Sequence, residues 1–153
     1  MDSVDRQLLD ALRANARATY AELARVVGLS APAVHERVAK LEANGVITGY
    51  HAAVAPESFG YAMNALVGIF ISDSADTDDV AAQLAAVPAV EHCWFVAGEE
   101  TFVVKVRVPD VSGMEATIRN LNAIRGVART RTTVVLSTKF EDRVQVLQAP
   151  GQR

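Results

Sequence analysis

Cysteine is almost absent: Cys93 is the single one in 153 residues. An intrachain disulfide is therefore excluded, and the usage fits a reducing compartment. Aromatic residues make up only 6% of the chain, so the core must be built from Val, Leu and Ala. No apolar run approaches the ~20 residues that a membrane-spanning helix needs. The opening "MDSVD" is polar and acidic, without the basic start and apolar stretch of a signal peptide. A cytoplasmic protein with no membrane partner is expected. An excess of positive charge is also missing. The net charge is −3, so any nucleic-acid contact must be local rather than spread over the surface.

The sequence is equally poor in catalytic patterns. His35, His51 and His92 lack metal-ligand spacing. No Ser-His-Asp order, phosphate loop or paired carboxylate set stands out. "DTDD" at 76–79 reads as a helix start, since acids suit a helix N-terminus. Catalytic residues, metal ligands and cofactors are all expected to be none. Cys93 is expected to be a small buried residue, and Trp94 is placed in the core in preference to an interface.

What is present is an ordinary globular mix, 50% apolar and 22% charged, arranged in two dissimilar halves. In the first half Val4, Leu8, Leu9 and Leu12 recur at helical spacing, with Asp2 or Ser3 as cap. Thr19 and Glu22 form a T-x-x-E capping box for a second helix with Leu23, Ala24 and Val27 inward. Gly28 fits its stop. Ser30 caps a third helix over 31–44, where Pro32 is tolerated in the first turn and Val34, Val38 and Leu41 form the inward seam. After Gly60 the texture changes. "MNALVGIFIS", "AVEHCWFVAG", "TFVVKVRVPD" and "VARTRTTVVLSTKF" read as strands. "DTDDVAAQLAAV" and "VSGMEATIRNLNAI" read as helices between them. The order βαββαβ is the ferredoxin-like pattern, an antiparallel sheet with both helices on one face. In that topology the first and third strands are central and the second and fourth lie at the edges. The fold class is α+β: an N-terminal (winged) helix-turn-helix over 1–50, a linker over 51–62, a ferredoxin-like domain over 63–140, and a tail over 141–153.

Two helices joined by a three-residue turn containing Gly suggest DNA binding, with the second helix in the major groove. With its apolar seam inward, this helix exposes Pro32, Ala33, Glu36 and Lys40, with His35 and Arg37 on the flanks and Ser30 at the tip. Arg37, Lys40 and Ser30 suit phosphates. Pro32, Ala33, Glu36 and His35 are placed to meet base edges; small apolar groups touch thymine methyls and Glu accepts from cytosine N4. Residues 1–50 hold six Lys/Arg and six Asp/Glu. One neutral module binds DNA weakly, which argues for an assembly of several.

Both halves resemble the Lrp/AsnC (feast/famine) family of bacterial and archaeal transcription regulators, over nearly the whole chain. The likeness rests on "VDRQLLDALRANARATYAELARVVGLSAPAVHERVAKLEANGVITGYHAAV", with its "GLS" turn, "ERV" and "GVI-GY-A" exit, and on "AGEETFVVKVRVPD" and "GVARTRTTVVLSTK". It implies a homodimer formed through the C-terminal sheets and assembled to an octamer. It also implies a small effector, usually an amino acid, bound between subunits near the turn joining the second and third strands. By position the effector residues are Gly98 and Thr101, with Glu99 and Glu100 between them, and Thr133, Val134 and Val135. The family turn usually reads Gly, acid, any residue, Asp; here Thr101 replaces the Asp. An acid there pairs with an ammonium group, whereas Thr offers a neutral hydroxyl. Glu99 or Glu100 then takes that role, the effector differs, or the response is lost. The leading expectation is an effector-responsive regulator of double-stranded DNA. Its alternatives are an architectural DNA-binding protein without effector and, from a different class, a small-molecule-binding enzyme or enzyme regulator, because fold does not decide function.

Overall fold

A computed structural model describes residues 1–141. Beyond residue 141, the expected tail lies outside the described residues. The chain forms two compact units. The first comprises Met1–Ala53 together with Phe140 and Glu141, and the second Val54–Lys139.

The first unit is three helices: α1 (Ser3–Ala14), α2 (Tyr20–Val27) and α3 (Ala31–Ala43). Asp2, rather than Ser3, caps α1, in a reciprocal box with Asp5. Thr19 and Glu22 form the same box at α2. Gly28 ends α2 with φ of 70° and ψ of 29°, the left-handed conformation that only glycine adopts without steric cost. Two residues later Ser30 caps α3, accepting from the Ala33 N–H at 3.4 Å. Leu8, Leu12, Leu23, Ala24, Val34 and Val38 form one buried cluster. Each such leucine or valine contributes about 1.5–3 kcal/mol by leaving water. The chain then leaves α3 through residues 44–55 without forming a strand.

The second unit has the order β1 (Met63–Ile71), α4 (Thr77–Ala85), β2 (Val90–Phe95), β3 (Phe102–Val108), α5 (Val111–Asn122), β4 (Val127–Val135). The strands form one antiparallel sheet in the spatial order β2-β3-β1-β4. The first and third strands are central, as the ferredoxin-like order requires. Strand alternation then assigns faces. Ala65, Val67, Ile69, Phe102, Val104, Val106 and Val108 pack with Val80 and Leu84 of α4 and Met114 and Leu121 of α5. Both helices therefore cover one face. The opposite, open face carries Leu66, Gly68 and Phe70 of β1, Val103 of β3, Trp94 of β2, and Arg129, Arg131 and Thr133 of β4, as their cross-strand pairing dictates.

Two expectations fail here for one reason. Cys93 is exposed, and Trp94 keeps 46% of its surface accessible. Both lie on the edge strand β2, and Trp94 is on the face without helices. Burial that residue type alone predicts is overridden by position in the sheet.

Gly126 turns the chain from α5 into β4 with φ of 95°. A Cβ added there would lie 2.9 Å from both the Ala75 Cβ and the Val80 Cγ2. Gly126→Ala is expected to cost about 2–4 kcal/mol, from the left-handed backbone and the crowding together. Urea unfolding should show a lower midpoint at an unchanged slope; an unchanged midpoint would contradict this account.

Candidate DNA-reading and effector sites

The capped start of α3 presents the residues picked out for DNA. Ser30, Pro32, His35, Glu36 and Lys40 are exposed, and Ala33 and Arg37 are half-buried. His35 meets the ring of Tyr20 edge-on, with centroids 4.9 Å apart, and so is steered towards the start of α2. Ala33, Glu36, Arg37 and Lys40 line one cleft of about 570 Å³ together with Asp2 and Asp5 of the α1 terminus. Lys40 takes part in no ion pair among the described residues.

Arg37 is differently placed. Its Nη1 donates to Asp2 Oδ2 at 2.8 Å and to Asp5 Oδ1 at 2.7 Å. The other oxygens of the two carboxylates are occupied as well. Asp2 Oδ1 accepts from the Asp5 N–H at 2.8 Å, and Asp5 Oδ2 accepts from the Asp2 N–H at 3.0 Å. The backbone N–H of Asp5, and then Arg37, hold the Asp2 carboxyl below the usual range, while the two carboxylates raise Arg37. Nothing in helical periodicity announces this triad, because its members lie 32 and 35 residues apart.

At the other end of α3, Tyr50 donates to Glu42 Oε1 at 2.8 Å. Partial burial, together with that carboxylate, pushes its phenol up to about 12. The exit segment is thereby tied back to the helix it leaves.

In the second unit the turn between β2 and β3 sits at the end of the sheet. Val96 N–H donates to Thr101 O at 3.1 Å, and Thr101 N–H donates to Ile69 O at 2.9 Å. Gly98 is open: an added Cβ would meet nothing nearer than Glu100 Oε2, at 3.8 Å. The Glu100 side chain folds over Gly68 on the open face, where a Cβ on Gly68 would lie 2.6 Å from its Cγ. Its carboxylate pairs with Arg131 of β4, leaving the side chain only 13% exposed. Glu99 is 80% exposed and 3.9 Å from the same guanidinium. Thr133 and Val135 share the open face with Arg131, whereas Val134, opposite Ala65, faces the helix side. Thr133 pairs with Leu66, and Arg131 pairs with Gly68. Thr133 thus lies roughly 7–10 Å along β1 from the turn. Glu100 reaches Arg131, so the turn and β4 do meet, but through two residues of which Arg131 was not singled out in the sequence.

The "AsnC-type helix-turn-helix domain" matches residues 1–42, and the "Lrp/AsnC ligand binding domain" matches residues 64–145. The chain belongs to the Lrp/AsnC family. Among its relatives is the HTH-type transcriptional regulator LrpA of Mycobacterium tuberculosis, 40% identical over 146 residues, covering 95% of this chain and 97% of LrpA. A solved M. tuberculosis feast or famine regulatory protein complexed with L-methionine superposes with a TM-score of 0.89 at 40% identity, covering 95% of this chain and 99% of that one. The structure of Escherichia coli AsnC superposes with a TM-score of 0.87 at 30% identity, covering 94% and 97%. As a Lrp/AsnC member, this chain is a DNA-binding transcriptional regulator. Its helix-turn-helix is the capped α2–turn–α3 unit, and its ligand-binding domain is the four-stranded sheet with α4 and α5.

Proposed function

We propose that this regulator reads double-stranded DNA with α3 and senses an amino acid between copies of its C-terminal unit. In this reading Lys40, Ser30 and the N-terminus of α3 meet phosphates. Pro32, Ala33, Glu36 and His35 meet base edges. The protein works as a homodimer, assembling further to an octamer, in the cytoplasm. Its role is regulatory, with no catalytic step. The domain scheme is a DNA-binding unit over 1–50, a linker over 51–62 and an effector and assembly unit over 63–140.

One observation carries the sensing part: the turn residue Glu100 lies on the open sheet face, joined to Arg131 at its rim. That face has no helix over it within its unit, and Leu66 there is 40% exposed. A second copy covering it would bring its own β4 or turn towards this charged pair. Gly98, Thr101, Thr133 and Val135 then line the gap, with Val134 behind them. Glu99, the more solvent-open of the two acids, is the carboxylate that meets an ammonium group in place of the missing Asp. The methionine complex of the M. tuberculosis relative supports an amino acid as the effector class.

The architectural alternative keeps one specific support. Glu100 already has a cationic partner, so its carboxylate is satisfied with no ligand.

A thermal-shift screen of the free amino acids separates the two readings. A ligand at one hundred times its dissociation constant stabilises the native state by about 2.7 kcal/mol. At least one amino acid should raise the melting temperature and change the affinity for duplex DNA. If none does either, the architectural reading stands.

A further inference from the structure

The triad of Asp2, Asp5 and Arg37 joins the first turn of α1 to the middle of α3. One guanidinium nitrogen, Nη1, is shared by both carboxylates at 2.7–2.8 Å. The carboxylate oxygens that Arg37 does not use cap α1 by accepting each other's backbone N–H. All four oxygens are committed, each in one direction. A single exposed ion pair is worth little, because solvent screens it and side-chain entropy opposes it. Here the capping box has already fixed both acids, so Arg37 meets an oriented pair of acceptors. Asp5 keeps only 16% of its side chain exposed.

The position on α3 matters as much as the pairing. Arg37 follows Glu36 directly and lies one turn beyond Ala33, two of the residues facing the same cleft. Holding Arg37 therefore holds the angle and rotation at which Ala33 and Glu36 are presented. A phosphate seeking Arg37 would have to displace two carboxylates and then remain beside them. Like charges within a few ångströms oppose that exchange. Lys40, one turn further along and without an ion-pair partner among the described residues, faces no such competition.

We infer that Arg37 is a positioning residue: through Asp2 and Asp5 it locks the DNA-reading helix α3 to the start of α1, and it supplies no charge to phosphate binding. Sequence preference depends on this lock; the electrostatic part of the affinity does not.

The test uses the full-length protein and two duplexes of about three helical turns. One is enriched from a random pool by the wild-type protein, and the other is a scramble of it. Binding is followed by fluorescence anisotropy across a range of salt, at a temperature well below unfolding. The variants are Arg37→Met, the double change Asp2→Asn with Asp5→Asn, and all three together. Asparagine keeps an oxygen that caps a helix, so the double variant removes the ionic lock and spares the cap. Each variant should lose about tenfold in preference for the enriched duplex, the size of one misplaced base contact. The triple variant should lose no more than either parent, as expected for groups acting as one unit. The slope of log affinity against log salt should match wild type in all three, whereas Lys40→Ala should flatten it.

Three results would overturn the inference. One is a slope for Arg37→Met as shallow as that of Lys40→Ala, which would make Arg37 a phosphate contact. Another is tighter binding of the double variant to the scramble, which would mean the acids merely mask a phosphate-binding cation. The third is a lower melting temperature with the preference intact, which would reduce the triad to a stability contact. If Arg37→Met does not fold, the double variant decides: lost preference at an unchanged slope upholds the lock, and tighter binding to the scramble or an intact preference overturns it.

Discussion

Leu66→Asp is expected to leave folded monomers that bind DNA at least about 100-fold more weakly than wild type. Leu66 lies near the middle of the open sheet face, between Lys105 of β3 and Thr133 of β4 in the cross-strand register. It is 40% exposed, and its side chain points away from α4, α5 and the core they cover. A carboxylate is therefore tolerated in the single copy, where it faces water and lies beside the Lys105 ammonium. It is not tolerated against a second copy of the same face. Closing two such faces buries a charge on each side, at a cost of several kcal/mol per ion. The loss of DNA affinity follows from the charge balance of the first unit. Six Lys/Arg and six Asp/Glu in residues 1–50 leave little net charge for phosphate neutralisation, so one copy gains little by itself. Linking two weak modules raises avidity by about 10²–10⁴, and dissociation forfeits that gain. Light scattering gives the mass, circular dichroism the fold, and anisotropy the affinity. A Leu66→Asp protein that stays a dimer or larger would show that assembly uses another surface.

What was legible in the sequence shares a physical basis: local periodicity and local caps. Leu8, Leu9 and Leu12, Val34, Val38 and Leu41, and the alternating Phe102, Val104, Val106 and Val108 are buried as their spacing implies. Thr19 with Glu22 and Ser30 with Ala33 form the caps that their order promised. The strand order followed from the number and sequence of elements. Contacts that depend on two distant segments were not legible. Arg37 reads in the sequence as a flank residue suited to phosphate, and its two carboxylate partners at the start of α1 are invisible there. Glu100 reads in the sequence as one of two acids open to an ammonium group, and its pairing with Arg131 on β4 is invisible there. Trp94 reads as a core residue by type, but it lies on an edge strand and turns to the face without helices, which leaves it 46% exposed. Thr133, Val134 and Val135 arrived as a block by resemblance, but a strand turns successive side chains to opposite faces. The structure accordingly separates Val134 from the other two.

Gly98→Trp should abolish the response to amino acids and leave DNA binding without effector within about threefold of wild type, less than one kcal/mol. Gly98 is absent from the positive-φ glycines, so its backbone does not itself demand glycine. An added Cβ would find only Glu100 Oε2, at 3.8 Å. The single chain thus has room for a large side chain. What an indole would occupy is the space above the turn, where the proposed effector lies beside Glu99, Thr101 and the partner copy. Blocking it should weaken amino-acid binding by at least about 100-fold, or about 2.7 kcal/mol. The α3 contacts to DNA belong to the other unit and are untouched. Thr101→Asp is the complementary change. It restores the acid that the family turn usually carries, while Arg131 remains occupied by Glu100. The added carboxylate should therefore tighten the hold on an ammonium group rather than enter the existing pair. Calorimetric titration of wild type and both variants with the same set of amino acids reads all three outcomes. Binding by wild type, its loss in Gly98→Trp and its gain in Thr101→Asp would locate the sensor at this turn. Undiminished binding by Gly98→Trp would place the effector elsewhere on the protein. No binding by wild type or by Thr101→Asp would mean that the Glu100–Arg131 pair closes the turn without a ligand, and that regulation here proceeds through assembly on DNA alone.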